Sequence, residues 1–319
     1  MRILILGGTV FLGRHTAAEA LARGHELTLY TRGIHGADLF PQAEGIRGDR
    51  ADLAPLRGRS WDAVIDTSGF ERAHVEASAR LDVGHYVFVS SCNAYPAWPK
   101  EPVDEDSPTW TEEGDDYGQQ KAACERAAEV ALPGRVAGVR AGLIVGAYDN
   151  VFRLPWWVER VGRGGVFPAP GDPAARLQLI DARDLASWML DLAERRIAGA
   201  FNGTAPVGQT TFGELLEEIG TSTGSDAEPR WIPDDALLAA GVAPWTELPL
   251  WAPASYRGTW AIRTERAQAA GLRCRPLADT IEHVADWLRT GGRPADYRSE
   301  HRPAPLPLRR EAELLRVAA

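Results

Sequence analysis

Cysteine is scarce in this chain, which contains only Cys92, Cys124 and Cys274 among its 319 residues. No two of them form a CxxC pair, and three scattered cysteines cannot make the set of bridges that holds a small secreted fold together. A disulfide scaffold and a cysteine-based zinc site are therefore excluded. Such cysteine usage is typical of a reducing compartment, and we expect a cytoplasmic protein.

Long hydrophobic runs are also missing from the chain. No stretch approaches the roughly 18 consecutive apolar residues that a membrane-spanning helix needs. The first apolar run covers residues 3–6 before two glycines end it, so it is too short to be a secretory signal peptide. We therefore expect a soluble protein with no membrane partner.

The chain has no excess of positive charge. Its 44 acidic side chains outnumber the 35 lysines and arginines, which gives a formal net charge of -9. A negative field disfavours nonspecific binding to nucleic acid, so we expect a small-molecule substrate and no nucleic-acid partner. His74, His85 and His283 do not have the spacing of metal ligands, and no metal is predicted.

The first thirteen residues carry the most informative pattern. The apolar run 3–6 suits a strand buried on both faces of a parallel sheet, and Gly13 opens an amphipathic helix. Glycines where strand turns into helix let backbone N–H groups approach a pyrophosphate, whose charge the helix N-terminus favours. The usual motif has another glycine where Val10 stands, so the Val10 side chain must point away from the pyrophosphate. The predicted cofactor contacts in this turn are Gly7, Thr9, Val10, Phe11, Leu12 and Gly13.

More strands follow, separated by helical patterns. Strand-like apolar segments lie at residues 26–30, near 46, and at 62–66, 85–90 and 135–140. Strands that alternate with helices favour a doubly wound parallel sheet of the Rossmann type, in the α/β class.

The second half of the chain differs in composition, since ten of the eleven tryptophans lie after residue 97. We interpret residues 1–148, with parts of 175–205, as the NAD(P)-binding Rossmann domain, and 149–290 as a smaller, interleaved substrate region. Residues 291–319 are predicted to form a tail that, apart from a short helix at residues 311–317, is flexible or lies over another subunit.

The end of the second strand indicates which cofactor is bound. NAD sites usually place an acid there for the ribose 2′-hydroxyl, whereas the 2′-phosphate of NADP needs a cation. Here Thr31 and Arg32 follow the strand, so NADP(H) is favoured and NAD(H) is the second choice, unless Arg32 is simply a solvated loop residue. Asp49 either contacts the adenine side or is a turn aspartate.

Tyr117 and Lys121 form the second informative pattern. Residues four apart share a face of a helix, so the two side chains should project side by side. A free tyrosine has a pKa of about 10, and a neighbouring ammonium lowers that pKa toward neutrality by stabilising the phenolate. Ser91, at the end of a strand, could then hydrogen-bond a substrate oxygen while Tyr117 gives or takes its proton and a hydride moves to or from the nicotinamide. We therefore predict that Ser91, Tyr117 and Lys121 are catalytic.

Four motifs together resemble the extended short-chain dehydrogenase/reductases, the NAD-dependent epimerase/dehydratase family: GGTVFLG, VFVSS followed by Tyr95, YGQQK, and IDARDLA. The resemblance covers residues 1 to about 290 and implies a Rossmann fold with a small C-terminal substrate domain. It implies a Ser-Tyr-Lys triad made of Ser91, Tyr117 and Lys121. The implied cofactor contacts are Gly7, Gly13, Asp49, Thr67, Ser68 and Lys121. Family members often dimerise, so a homodimer is also implied.

Three departures from the family pattern bear on the substrate. Dehydratases of the family carry Asp-Glu directly after the catalytic hydroxyl residue, whereas this chain has Cys92 and Asn93. Cys92 itself is interpreted as a buried, inert thiol. Epimerases of the family use an Asn and an Arg to bind the substrate diphosphate, and the matching positions here are Leu143 and Leu177, with Arg176 adjacent.

These departures favour an oxidoreductase that transfers a hydride at a carbonyl or secondary alcohol of a fairly apolar small molecule. A nucleotide-sugar epimerase with tightly bound NAD is the alternative. A non-catalytic nucleotide- or RNA-binding protein is an alternative of another class, because the GGTxFxG form also resembles relatives of that kind.

Overall fold

A computed structural model describes residues 1–97, 100–296 and 306–317. The described residues form thirteen strands: β1 (Arg2–Leu6), β2 (Glu26–Thr31), β3 (Glu44–Arg47), β4 (Ser60–Asp66), β5 (Asp82–Ser91), β6 (Val136–Ala141), β7 (Leu143–Val145), β8 (Val166–Pro170), β9 (Arg176–Leu177), β10 (Leu179–Asp181), β11 (Gly199–Gly203), β12 (Thr210–Thr211) and β13 (Glu228–Ile232). They also form ten α-helices: α1 (Phe11–Ala22), α2 (Arg72–Ala79), α3 (Tyr117–Ala131), α4 (Arg153–Gly162), α5 (Ala182–Arg195), α6 (Phe212–Thr223), α7 (Asp234–Ala239), α8 (Glu265–Ala269), α9 (Leu277–Arg289) and α10 (Leu308–Val317). None of these helices is long and apolar enough to cross a membrane.

Seven parallel strands make the central sheet, in the order β11-β6-β5-β4-β1-β2-β3. Strand order reverses between β1 and β4, because the chain runs outward from β1 to β3 and then returns to the other side. Ligands of doubly wound sheets bind at the carboxyl ends of the strands beside such a reversal. The predicted Rossmann-type α/β fold is confirmed.

The continuous apolar run of β1 is explained by burial on both faces of the sheet. Ile3 and Ile5 pack on the side of α1 and α5, and Leu4 and Leu6 pack into the opposite core, which includes residues of α2 and α3. All four side chains are 0% exposed, so each face of the sheet is covered as a parallel sheet requires.

The C-terminal region has an apolar core of its own, to which α4, α6 and α9 contribute together with β8 and β13. Four tryptophans are buried in it: Trp156, Trp157, Trp251 and Trp260. One segment differs from the division predicted from the sequence. Ala267 of α8 and Leu272 pack in the core of the Rossmann sheet, although they lie within residues 149–290.

The described part of the tail contains the predicted short helix but differs from the prediction in being fixed in place. Residues 308–317 form α10, which contacts β8 and β13 of the same chain. Glu311 is buried there and makes an ion pair with Arg160 of α4, and Leu314 is buried in the C-terminal core. Residues 308–317 are therefore fixed to their own chain. The prediction of a segment that is flexible or lies over another subunit is wrong for these residues. Residues 297–305, 318 and 319 lie outside the described residues.

The lowered pKa values of two buried histidines lead us to expect that the stability of the folded protein depends on pH. Burial lowers the pKa of His15 and of His85 to about 4, from an ordinary value of 6.5. Below pH 6.5 the unfolded chain therefore binds protons that the folded chain does not, and the folded state loses stability as the pH falls. We expect the free energy of unfolding to drop by on the order of 1–3 kcal/mol between pH 7 and pH 5. Urea denaturation at several pH values measures this slope. The double variant His15→Gln/His85→Gln should flatten it, and an unchanged slope in that variant would contradict the assignment.

Candidate active site

The glycine turn lies at the reversal of strand order. Gly7 and Gly8 follow β1 with φ angles of +107° and +102°, a region that side chains with a Cβ rarely adopt. A Cβ on Gly7 would lie 2.5 Å from Oγ1 of Thr67, which follows β4. The ends of β1 and β4 therefore approach each other so closely that only glycine fits between them.

The first turn of α1 packs against the same turn. A Cβ on Gly13 would lie 2.7 Å from the backbone nitrogen of Gly8, so a side chain at residue 13 would push the helix away from the loop. Val10 is the N-cap of α1, it gives no side-chain hydrogen bond to the helix, and the first turn contains no acid. The N-terminus of α1 thus presents backbone donors and a positive dipole end without a competing carboxylate.

Phe11 is the residue at which sequence reasoning missed a backbone feature. It begins α1 with a φ of +37°, which is an unusual conformation for a bulky residue. Its partly buried ring packs on the core that also contains Leu12. Nothing in the sequence motif shows that the backbone of Phe11 has a positive φ angle, because a phenylalanine at this position could equally be an ordinary first helical residue.

Thr67 and Ser68 hold the two strand ends together. Both hydroxyl groups donate to the carbonyl of Leu6, at oxygen–oxygen distances of 3.1 and 2.9 Å. The backbone N–H of Ser68 donates to the carboxylate of Asp66 at 3.0 Å. These residues therefore shape the floor of the turn, as well as lying at the position where the family resemblance predicts cofactor contacts.

Arg32 and Asp49 lie at the ends of β2 and β3, as expected. Arg32 is exposed and follows β2 directly. Asp49 is also exposed, and its Oδ1 accepts a hydrogen bond from the backbone N–H of Ala51 at 2.9 Å. That contact is typical of a turn aspartate, which was the alternative interpretation of this residue.

Ser91 ends β5 at the same edge of the sheet. Its side chain is 9% exposed, and its Oγ accepts a hydrogen bond from the backbone N–H of Asn93 at 3.2 Å. This bond caps the short 3-10 helix Cys92–Ala94. The hydroxyl is thereby oriented by the backbone, with its own proton available for another acceptor.

Tyr117 and Lys121 lie on the first turns of α3, which Asp116 caps through the N–H of Gly118 at 2.8 Å. Lys121 is only 3% exposed. Its ammonium donates to the carbonyls of Gly69 and Val89, at 2.6 and 2.8 Å, and lies 5.9 Å from the centroid of the Tyr117 ring. The helix therefore places a desolvated cation beside the phenol ring, as the spacing in the sequence predicts.

Gly118 brings α3 close to the segment that follows Ser91. A Cβ on Gly118 would lie 2.1 Å from the carbonyl oxygen of Asn93. We expect Gly118→Ala to separate these two segments and to cost about 1–3 kcal/mol of folding free energy, because overpacking forces the backbone to move. Urea denaturation measures the loss. Gly220→Ala, on a helix position where a Cβ meets nothing within 4 Å, is the control and should not destabilise the protein. Equal stability of the two variants would contradict the close approach.

Comparisons with known proteins show a family similarity. The profile described as the NAD dependent epimerase/dehydratase family matches residues 67–203. The mouse epimerase family protein SDR39U1 is 27% identical over 264 residues, which cover 76% of this chain and 86% of that protein. The chain is thus similar to this family, the extended short-chain dehydrogenase/reductases, both in the matched segment and over most of the length of a curated relative. The resemblance inferred from the four motifs is thereby confirmed.

Solved structures of family members share the fold. Human SDR39U1, in a structure with NADPH, superposes with a TM-score of 0.62 and 22% identity, covering 90% of this chain and 99% of that chain. The UDP-Glc/GlcNAc 4-epimerase of Campylobacter jejuni superposes with a TM-score of 0.69 and 17% identity, covering 91% and 99%. At these identities the likeness concerns the fold alone.

The two positions that the family resemblance matches to the diphosphate-binding residues of epimerases are apolar here. Leu143 is half-buried in β7 and Leu177 is 1% exposed in β9. Arg176, next to Leu177, is exposed. Neither leucine can bind a phosphate group, so the two-residue arrangement that the family uses for this purpose is missing at these positions.

Several charged residues of the family motifs have structural roles in this chain. Asp181 caps α5 through the N–H of Arg183 at 2.7 Å and accepts a hydrogen bond from Thr280. Asp184 accepts two hydrogen bonds from Arg275, from its backbone N–H and from its guanidinium. Asp181 therefore caps α5, and Asp184 tethers that helix to Arg275.

A buried polar network behind Ser91 was not predicted from the sequence. Arg140 binds Glu125 with two nitrogens, at 3.1 and 2.8 Å, and donates to the hydroxyl of Tyr95 at 2.8 Å. That hydroxyl in turn donates to Oδ1 of Asn202 at 2.7 Å, and Ser90 donates to Glu125. Because β5, α3, β6 and β11 each contribute to it, no spacing along the chain reveals the network. It joins four elements beneath the site and fixes the end of β5.

Cys92 belongs to the same buried layer. Its thiol is 1% exposed and donates to the carbonyl of Arg140 at a sulfur–oxygen distance of 3.3 Å. Burial raises its pKa well above the ordinary value. The thiolate form is therefore disfavoured, in agreement with the interpretation of an inert thiol.

Proposed function

We propose that this chain binds a nicotinamide dinucleotide, with NADP(H) preferred and NAD(H) second. The tight glycine turn, in which Gly7 and Gly13 let β1 and α1 pack closely, and the acid-free N-terminus of α1 fit a pyrophosphate. Thr67 and Ser68 line the same crevice, and Arg32 offers a cation where the adenosine ribose would lie. The NADPH in the structure of human SDR39U1, a family member, supports this proposal.

The bound nicotinamide would supply or accept the hydride. Ser91 would donate a hydrogen bond to the substrate oxygen and keep its proton, and Tyr117 would give the single proton to that oxygen or take it away. Lys121 would favour the phenolate of Tyr117 through its positive charge, which burial leaves poorly screened by water. The juxtaposition of the Lys121 ammonium and the Tyr117 ring, 5.9 Å apart, is the observation that carries the proposal.

The substrate in this proposal is a small, fairly apolar carbonyl compound or secondary alcohol. Leu143 and Leu177 replace the polar residues that family epimerases use for a sugar nucleotide, which disfavours a diphosphate. Apolar positions would instead bind an uncharged molecule through burial of its surface. Net oxidation or reduction, rather than epimerisation, follows from this choice of substrate.

The nucleotide that co-purifies with the full chain tests this proposal. After release by denaturation, absorbance and mass distinguish NAD⁺ from the NADP(H) pair. A reductase should then consume added NADPH in proportion to the carbonyl compound reduced. Tightly retained NAD⁺ with no net consumption, together with interconversion of UDP-sugars, would contradict the proposal and support the epimerase.

A non-catalytic RNA-binding protein is the alternative of another class. The net charge of -9 disfavours it, because RNA binding depends on contacts between cations and phosphates. A mobility-shift titration with RNA at several salt concentrations tests it beside a cofactor titration. A salt-sensitive shift without dinucleotide binding would overturn the enzymatic proposal.

A further inference from the structure

A second arginine, on β3, lies beside the end of β2. Arg47 is the parallel-strand partner of Thr31, the residue before Arg32. Its side chain passes over Gly33, since a Cβ built on Gly33 would lie 2.9 Å from Nε and 3.0 Å from Cδ of Arg47. Gly33 has a φ of +71°, and its N–H donates to Oγ1 of Thr31 at 3.2 Å. The turn after β2 therefore leaves room for a guanidinium from the neighbouring strand.

Neither Arg32 nor Arg47 has its charge compensated within the described residues. Both are exposed, and neither side chain makes a hydrogen bond or an ion pair to any residue between 1 and 97, 100 and 296, or 306 and 317. Other arginines nearby are paired: Arg59 with Glu44 of β3, and Arg50 with Asp66 of β4. The chain has nine more acidic than basic side chains, so its overall electrostatic potential is negative. Two neighbouring uncompensated arginines make the surface at this turn locally positive.

The turn that carries Arg32 lies against the glycine turn. A Cβ on Gly36 would lie 3.4 Å from the carbonyl oxygen of Thr9, so the two loops are neighbours at the carboxyl end of the sheet. A dinucleotide whose pyrophosphate sits at α1 extends its adenosine half toward the end of β2. The group nearest Arg32 and Arg47 would then be the ribose and its 2′ substituent.

We propose that Arg47 and Arg32 together bind the 2′-phosphate of NADP(H), and that Arg47 is a specificity-determining residue of this chain. The inference rests on the proposed function and assigns cofactor choice to a residue outside the turn after β2. Two guanidinium groups can each present paired N–H donors to phosphate oxygens, which a single arginine on a mobile loop does less well. Both side chains are exposed, so removing either should not disturb the core.

Titration of the full chain with NADPH and with NADH tests the inference, with the wild type, Arg47→Ala, Arg32→Ala and Arg57→Ala compared. Arg57 is the matched control, because it is exposed but precedes β4 at the opposite end of the sheet. We expect Arg47→Ala to raise the Kd for NADPH by about 10-fold or more, as the loss of a hydrogen bond to a charged group would. The Kd for NADH should stay within about 2-fold, and Arg57→Ala should change neither.

The outcomes separate this inference from the proposed function. If Arg47→Ala binds NADPH as the wild type does, or weakens NADH and NADPH equally, the role of Arg47 is overturned while dinucleotide binding stands. If the wild type prefers NADH, the two-arginine site is overturned in the same way. If the wild type binds neither nucleotide, the proposed function falls as well.

Discussion

Tyr117→Phe should bind NADPH normally and lose nearly all turnover. The change removes only the phenol oxygen, whose proton transfer to the substrate typically accelerates such a reaction by about 100- to 10,000-fold. The ring remains beside Lys121, whose ammonium is held by the carbonyls of Gly69 and Val89, so the cofactor side of the site should be unchanged. The measurement is the rate of NADPH consumption with the carbonyl compound that the wild type reduces fastest, beside an NADPH binding titration.

Tyr256→Phe is the matched control for this prediction. Tyr256 is 41% exposed in the 3-10 helix Ala254–Trp260, outside the predicted site, and undergoes the same chemical change. It should keep the wild-type turnover. If Tyr117→Phe retained most of the activity, the catalytic role of Tyr117 would be wrong, whatever the fold.

Glu311→Ala should destabilise the folded protein more than most single substitutions. Glu311 and Arg160 are 4% and 5% exposed, and three of their nitrogen–oxygen distances are 2.8, 3.0 and 2.8 Å. Removing the carboxylate leaves a buried guanidinium without its counter-charge, which typically costs about 3–5 kcal/mol. The free energy of unfolding in urea measures this loss, and limited proteolysis shows whether α10 is released.

Glu313→Ala on the same helix is the control. Glu313 pairs with Arg309 and Arg310 at the surface, where such pairs contribute about 0–1 kcal/mol. The double variant Arg160→Met/Glu311→Leu removes both buried charges and should recover much of the stability lost in Glu311→Ala. If Glu311→Ala and Glu313→Ala lost equal stability, α10 would not be held by a buried ion pair.

Local patterns predicted much of the sheet and the site, because those features depend on neighbours in the sequence. The run 3–6 indicated a strand covered on both faces, and all four residues are buried as expected. Thr211 and Glu214, three residues apart in the sequence, form a capping box at the start of α6, as that spacing favours. The four-residue spacing of Tyr117 and Lys121 likewise placed their side chains together on α3.

Long-range contacts could not be predicted in the same way. The pair of Arg160 and Glu311 joins residues 151 positions apart, and the position of Arg47 beside Gly33 depends on the pairing of β2 with β3. The short helix of the tail could be predicted from the sequence, but its buried partner on a distant helix could not. Such contacts depend on tertiary packing, which a local pattern does not contain.

Transfer of deuterium from NADPH that carries deuterium at both C4 positions of the nicotinamide tests the central claim most directly. The full chain is incubated with the labelled cofactor and a set of apolar ketones and aldehydes, and the products are examined by mass spectrometry. Hydride transfer with Ser91, Tyr117 and Lys121 predicts one deuterium on the carbinol carbon of an alcohol product, and its disappearance in Tyr117→Phe. Unlabelled products with no NADPH consumed, or label transfer that persists in Tyr117→Phe, would contradict the account.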